Sequence, residues 1–504
     1  MKRISRVRLV PTLVSGLVLA ASVGVLAPQL DLALMQSADG TAAAVRSSLS
    51  PLSPLSGRRV ATGWIPWWRL ADGVASVLAH PDLFAEVSPF WYRATRASTV
   101  VDQESGQPPE SELIAAVDSL HAAGVRVLPT VNDVGLNSSS MARLLGDGKR
   151  RGDLVRSLVA MVDRIGADGV DIDFEAMNFP ASPDRAVVSR KFPVFLRSLQ
   201  TSLHRDGQLL SVSVPSRTSG RDPNWSIYHY GALAPYVDRV RVLTYDYSYA
   251  GGDPGPIAPI DWVESVTRYA ESKFPRVPLS IGLPAYGYNW YIKKLLGSCP
   301  RVIDVGATTA PTTRQALVLI DDFQATLQWH RGFAESMFTY RRPYPDGGND
   351  CVVRRQVWFE AARSVAAKLA LLRRHNVQGF SFWTLGAEDP RTWRVLDRYA
   401  TRLEPKSAAA DLEAPRAIRA GAKATIVGRF RVGGRGVASA DISVQRRVGR
   451  GDWSTVATVT TTSLGRAAYL AAPNRTSEWR MRLPASWDWG NTISPTALVR
   501  VRRS

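Results

Sequence analysis

Cysteine is almost missing: two occur in 504 residues, Cys299 and Cys351. That excludes a scaffold built on disulfides and any thiolate-rich metal or cluster site. Histidine is nearly as scarce, with six in the chain and none at ligand spacing, so no zinc site and no other metal or cofactor is expected. Past the N-terminus the apolar stretches are short and interrupted by charge, well under the roughly 20 residues of a membrane-spanning helix. Acids are in deficit, 44 Asp and Glu against 63 Lys and Arg, for a net charge of +19. The cations are scattered through every segment and no recognised nucleic-acid motif accompanies them, so nucleic acid is not an expected partner. A basic protein would still adhere to anionic cell-wall polymers or lipid headgroups, with an attraction screened by salt.

The apolar fraction of 45% excludes global disorder. At the N-terminus Lys2, Arg3, Arg6 and Arg8 precede a mostly apolar stretch from Leu9 to Ala27. This reads as an export signal, so residues 1–44 are expected to be a signal peptide or, uncleaved, a membrane anchor. Either outcome places the protein outside the cytoplasm, extracellular or in the envelope. Residues 45–58, with Ser-Pro-Leu repeated, read as a Pro/Ser linker.

From residue 59 to about 404, strand and helix patterns alternate. Strands are expected at Val60 to Trp64, Val87 to Tyr92, Val125 to Val131, Gly169 to Glu175, Leu209 to Pro215, Val237 to Tyr245, Pro278 to Leu283 and Val377 to Trp383. Helices such as Ser111 to Ala123 and Asp153 to Gly166 fall between them. Eight alternating units predict an α/β fold, a closed (β/α)8 barrel with its active site at the C-terminal ends of the strands. The rhythm breaks after the seventh strand. Residues of about 286–357 form an insertion holding both cysteines, with the next helix expected from Gln356 to Arg374. In an oxidising compartment the two cysteines are expected to pair. Residues 405–504 change character to short alternating runs between glycine turns, which predicts a β-sandwich. Trp453, Trp479, Trp487 and Trp489 suit its core better than a sugar-stacking surface.

The run Asp168-Gly169-Val170-Asp171-Ile172-Asp173-Phe174-Glu175 carries the chemistry. On a strand, the acids at 171, 173 and 175 share one face about 6.6 to 7 Å apart while Val170, Ile172 and Phe174 take the other. Three carboxylates on a buried strand are costly unless they share protons and hydrogen bonds, which argues against a purely structural origin. A calcium loop needs polar residues and a glycine after the first acids, whereas here apolar residues interleave and Gly169 precedes them. What remains is carboxylates in close company, where repulsion raises one pKa and provides a proton donor near neutral pH. Asp168 is out of phase with the set and suits a structural role.

This run resembles the Asp-Gly-x-Asp-x-Asp-x-Glu signature of glycoside hydrolase family 18. Further blocks support the resemblance: Thr244-Tyr245-Asp246 after an apolar strand, Gly282-Leu283-Pro284-Ala285-Tyr286-Gly287, and Gly379-Phe380-Ser381-Phe382-Trp383. One block departs. Val127-Leu128-Pro129-Thr130-Val131-Asn132 replaces the Ser-x-Gly-Gly of many chitinases, and the chain looks more like the spore-germination and cell-wall hydrolases. The final segment looks like an immunoglobulin-like module, and the insertion resembles the small α+β insertion of some family members.

The resemblance implies a retaining, substrate-assisted β-N-acetylglucosaminidase that uses the substrate's own acetamido group as nucleophile. Its expected substrate is peptidoglycan or a related N-acetylated envelope glycan. Chitin or chito-oligosaccharide hydrolysis and a catalytically inactive glycan-binding lectin are the alternatives. Glu175 is expected to be the acid and base, Asp173 to hold the acetamido group, and Asp171 to share a proton with Asp173. Tyr245 would donate to the acetamido carbonyl, and Trp383 would floor the sugar. Asp246, Tyr247 and Tyr92 are further candidates for contact with sugar hydroxyls.

Overall fold

The computed structural model describes residues 61–502 apart from 105, 179–183, 222–226, 276, 300–304, 345–350, 376, 403–406, 438–439 and 485–488. The expected export signal or anchor, the linker and Trp487 lie outside the described residues. No helix among the described residues is long and apolar enough to cross a membrane.

The described chain forms two compact units, one built from 62–81 and 86–392 and the other chiefly from residues after 392. In the first, eight parallel strands close on themselves: β1 (Ala61–Pro66), β2 (Glu86–Ala94), β3 (Thr130–Asn132), β4 (Gly169–Asp173), β5 (Leu209–Pro215), β6 (Arg239–Leu243), β7 (Leu279–Pro284) and β8 (Gly379–Trp383). Each strand pairs with its neighbours in chain order, and β1 closes the ring by pairing with both β2 and β8. This is the expected barrel. Helices Glu110–Ala122, Gly148–Ile165, Asp184–Leu203, Ile260–Lys273 and Ala362–Leu372 alternate with the strands.

Alternation along the strands decides what fills the barrel. On β4, Val170 and Ile172 are fully buried on the outward side, under the helices. The inward side carries Asp171 and Asp173, in register with Thr130 and Asn132 on β3. Ser211 and Ser213 on β5 face the same interior and bond Asp171. Gly169 must be glycine because a Cβ there would lie 2.0 Å from the Leu209 carbonyl oxygen.

The α+β insertion after β7 is a four-stranded antiparallel sheet, ordered Gly287–Leu296, Cys351–Phe359, Glu335–Tyr344 and Gln328–His330, with helix Thr313–Asp322. That helix starts on a reciprocal cap between Thr312 and Gln315. Cys299 and Cys351 are joined by a disulfide with 4.7 Å between Cα atoms. The helix expected from Gln356 in fact begins at Ala362. Residues 356–359 finish a strand instead, because Val357 and Phe359 alternate into the insertion's own core with Phe338 and Tyr340.

A buried charge cluster secures the insertion's base. Lys368 lies between Glu335, at 3.4 Å, and Glu360, with all three side chains inaccessible to solvent. Burial pushes the Glu360 carboxyl up to about 8 even though Lys368 opposes the shift. One lysine offsets one carboxylate, and the second acid keeps its proton. Glu335 also accepts the backbone N–H groups of Ile257 and Ala258, at 2.8 and 2.6 Å, which fixes the loop that follows β6.

In the second unit, two sheets, antiparallel except where Ala417–Arg419 pairs parallel with Ala497–Arg502, enclose Ile426, Phe430, Ile442, Val444, Trp479, Met481 and Val499, an arrangement consistent with a β-sandwich. Trp479 is in the core and Trp489 packs at its edge. Trp453 lies outside it, flanked by Arg447 and Arg480. Strands Ala408–Glu413, Ala417–Arg419 and Arg466–Ala471 join those expected from sequence.

Candidate active site

The carboxylate run arrives at the C-terminal mouth of the barrel already graded by its surroundings. Asp171, deepest of the three and fully buried, receives hydrogen bonds from Ser211 Oγ (2.6 Å), Ser213 Oγ (3.0 Å), Thr130 Oγ1 (3.0 Å) and Trp64 Nε1 (3.3 Å). The Arg241 guanidinium stands 3.8 Å away. Every one of these groups donates or is positive, so the pocket is built to hold a carboxylate.

Asp173 meets the opposite environment. Its Oδ1 is buried without a hydrogen-bond partner among the described residues. Burial, then the charges of Glu175, Asp171 and Asp133, push its pKa well above the ordinary value, against the pull of Arg241. Tyr245 follows β6, where Gly282 leaves room for its ring: a Cβ there would come within 2.9 Å of Tyr245 Cε1. Burial and the nearby acids raise the Tyr245 pKa, so its hydroxyl stays a hydrogen-bond donor.

Strand pairing ends at Asp173, two residues earlier than the alternation predicts, and Glu175 precedes a short 3-10 turn over Ala176–Asn178. Its backbone is fixed from both sides. Phe174 stacks on Phe195 with ring centroids 5.9 Å apart, and its carbonyl accepts the Tyr228 hydroxyl. On the other side the Glu175 and Ala176 N–H groups donate to Asp133 Oδ1, both at 2.8 Å, and Met177 N–H donates to Oδ2 at 2.6 Å. The Glu175 carboxyl is raised to about 8 by burial, then by the charges of Asp133 and Asp246. A group at about 8 holds its proton at neutral pH and can release it, as a general acid that later becomes a base requires.

Asp133 and Arg241 were missed in the sequence reading. Asp133 is buried, its pKa raised to about 6 by burial against the opposing pull of its backbone donors. The only local signal is the pair Asn132-Asp133 at a strand end. Arg241 sits in a strand read as apolar, yet it turns inward between Val240 and Val242 to reach Ser88 and Glu86. Burial opposes ionisation of Glu86, but Arg239 and Arg241 overcome it and hold that carboxyl below its ordinary value.

Aromatic rings line the mouth. Trp383 at the end of β8 packs edge-on to Phe90 and Trp64, with centroids 4.9 and 5.9 Å away, and Leu243 and Tyr245 complete the cluster. Asp246 keeps solvent access while receiving hydrogen bonds from the hydroxyls of Tyr286 and, at 3.0 Å, Tyr288. Tyr247 is exposed, its ring 5.4 Å from Trp262. Tyr92 is not brought to the group. A register shift between Phe90 and Tyr92 pairs it with outward-facing Val131, and its hydroxyl donates to Glu110 at 2.6 Å. Asp168 accepts from Val127 N–H and contacts His121, both at 2.8 Å, as suits a residue at the strand entry.

The profile described as Glycosyl hydrolases family 18 matches residues 96–388, more than half of the chain. The protein belongs to glycosyl hydrolase family 18. Its signature acids lie at the mouth of the family 18 barrel. The chain is 28% identical over 309 residues to the cortical fragment-lytic enzyme of Bacillus subtilis (strain 168), which spans 61% of this chain and 66% of that protein. The match therefore covers slightly less than two thirds of that relative. The chitinase of Chromobacterium violaceum ATCC 12472 superposes with a TM-score of 0.56 at 25% identity, covering 68% of this chain and 98% of that one. The Bacillus cereus spore cortex-lytic enzyme SleL shares the family 18 fold at 22% identity and a TM-score of 0.56, covering 69% of this chain and 75% of its own.

Proposed function

We propose that this family 18 enzyme is a retaining, substrate-assisted β-N-acetylglucosaminidase acting on peptidoglycan or a related N-acetylated glycan of the cell envelope. The observation that carries the reading is the contrast between three neighbouring acids. Asp171 is surrounded by donors, Asp173 has a buried oxygen without a partner among the described residues, and burial and neighbouring charge push the Glu175 carboxyl up to about 8. In this scheme Glu175 protonates the glycosidic oxygen as the bond to the anomeric carbon breaks, while the acetamido oxygen of the same sugar forms the new bond to that carbon. Asp173 accepts the acetamido N–H and steadies the positive charge that develops on the ring so formed. Tyr245 donates to the acetamido oxygen and fixes its line of attack. Glu175, now a carboxylate, deprotonates the water that opens the intermediate with net retention. In the same scheme Trp383 supplies an aromatic floor for the sugar, and Asp246 and Tyr247 contact its hydroxyls.

The envelope substrate is supported by the name of the Bacillus subtilis relative, a cortical fragment-lytic enzyme. The likeness to a chitinase of Chromobacterium violaceum favours soluble chito-oligosaccharides as the second reading. Mass spectrometry of products from purified peptidoglycan and from chitohexaose, side by side, separates the two. A thiazoline analogue of N-acetylglucosamine should inhibit, and substrates lacking the acetyl group should stay intact. Trapping a glycosyl ester on a protein carboxylate would refute the mechanism.

A further inference from the structure

The two faces of the C-terminal sandwich handle positive charge differently. On the sheet containing strands Ala408–Glu413 and Ala424–Val432, Arg429 pairs with Glu413 and Arg431 with Asp411, while Arg466, opposite Arg429 on strand Arg466–Ala471, has no ion pair among the described residues. On the other sheet, Val444, Trp479, Met481 and Val499 point into the core, so the alternate positions face outward. Cross-strand register groups those positions: Gln445 opposite Arg480, Ser443 opposite Arg482, Arg447 opposite Glu478, and Arg502 opposite Arg419. With Arg500, two residues from Arg502 on the same strand, this face carries six arginines. Glu478 is held by Arg447 at 2.5 Å. Among the described residues no carboxylate lies within ion-pair distance of Arg419, Arg480, Arg482, Arg500 or Arg502.

Arg419 and Arg502 are partners in a parallel strand pairing, two like charges side by side that no carboxylate among the described residues offsets. Several heads are nonetheless held in place. Arg447 and Arg480 both lie over the Trp453 ring, 4.7 and 4.2 Å from its centroid. Arg480 Nε donates to Gln445 at 2.8 Å and Arg482 Nε to Asn491 at 2.7 Å, bonds that do not use their terminal Nη groups. A pre-ordered guanidinium loses little freedom on binding an anion and can grip a phosphate with two parallel bonds.

We propose that this sheet face is a binding surface for a linear polyanion carrying a phosphodiester at each short repeat, namely a polyol-phosphate chain of the cell envelope. Positive charges stand about 7 Å apart along a strand within the pairs Arg480/Arg482 and Arg500/Arg502, and Arg419 stands across from Arg502 on the neighbouring strand about 4.8 Å away. A polyol-phosphate chain presents charge at comparably close intervals, whereas a glycan with one carboxylate per disaccharide spaces it more widely. The choice of an envelope polymer over a nucleic acid rests on the function proposed above. The surface would hold the enzyme on the wall by contacts separate from the acids at the barrel mouth.

The test uses full-length protein and purified poly(glycerol phosphate), with calorimetric titration at several salt concentrations. Arg500→Gln with Arg502→Gln should weaken binding about tenfold at low salt and flatten the plot of log affinity against log salt by about 1.4, the value for two contacts on a flexible polyanion. Arg429→Gln with Arg431→Gln removes the same charge from the ion-paired sheet and should change neither. Equal losses in both variants would reduce the effect to net charge and overturn the proposal, as would absence of binding by the unaltered protein. Tighter binding to single-stranded DNA than to the polyol phosphate would overturn the assigned occupant. Hydrolysis of small soluble glycosides should be the same in all forms. If the unaltered enzyme cleaves no N-acetylated glycan, the catalytic reading fails while the binding comparison still stands.

Discussion

Replacing Asp133 by Asn removes one negative charge beside Glu175 with almost no change of shape. The amide oxygen can still accept the Glu175 and Ala176 N–H groups, but its NH2 would face the Met177 N–H that now bonds Oδ2 at 2.6 Å. Losing that bond should cost about 1–3 kcal/mol of stability. The electrostatic effect is separate. After burial, the charge of Asp133 is the largest cause that raises the Glu175 pKa to about 8. A unit charge at an effective dielectric of about 20 contributes about 1.7 kcal/mol even across 10 Å. One pH unit corresponds to about 1.4 kcal/mol, so the alkaline limb of the pH profile should move down by at least about one unit.

At pH 8 about half of Glu175 is protonated in the unaltered enzyme, and about a tenth would be in the variant, so kcat/KM on an oligosaccharide should fall roughly fivefold. Near pH 6 the difference should nearly vanish, because Glu175 is protonated in both forms and Asp133 itself gains a proton at about 6. The assay is kcat/KM from pH 5 to 10 on an unactivated oligosaccharide, with a carboxyl-carbon NMR titration of Glu175 in the free enzyme. A uniform loss of activity with an unmoved alkaline limb would show that Asp133 only holds the backbone.

Glu175→Gln should lower kcat by about 100-fold or more on oligosaccharides and less on aryl glycosides with good leaving groups, and equal losses would remove Glu175 from the acid role. The same variant should be more resistant to heat than the unaltered enzyme at alkaline pH. A carboxyl with its folded pKa raised from 4.5 to about 8 loses its stabilising contribution as pH climbs through that window, and Gln does not titrate. The melting-temperature difference should therefore grow from pH 5 to pH 9. Reducing the disulfide, or Cys299→Ser with Cys351→Ser, should destabilise the insertion by up to about 4 kcal/mol, from the loop entropy of its 52-residue separation, as read by chemical denaturation. Lys368→Met leaves Glu335 and Glu360 buried without their cation and should cost about 3–5 kcal/mol, whereas a small loss would mean that both acids become protonated.

The amino-acid sequence by itself determined the features that depend on neighbours along the chain. Period-two alternation located all eight barrel strands, and the same period put Asp171 and Asp173 on one face with Val170 and Ile172 behind them. The insertion after the seventh strand and the short runs of the sandwich were legible for the same reason. Tertiary structure decided which acids differ in proton affinity. Asp171 is surrounded by groups from β1, β3, β5 and β6, while Asp173, two residues away, has an oxygen without a donor among the described residues. Asp133 lies 42 residues before Glu175, and nothing local marks it as the acceptor for that turn. Arg241 has flanks that look like an ordinary apolar strand, and only closure of the barrel brings Glu86 to it across 155 residues. Tyr92 was lost to the site by one register shift, which reverses the face of every following side chain and leaves no trace in composition. Local periodicity assigns a residue to a face, but the partners that set its charge come from pairings between distant strands, and those exist only when the ring is closed.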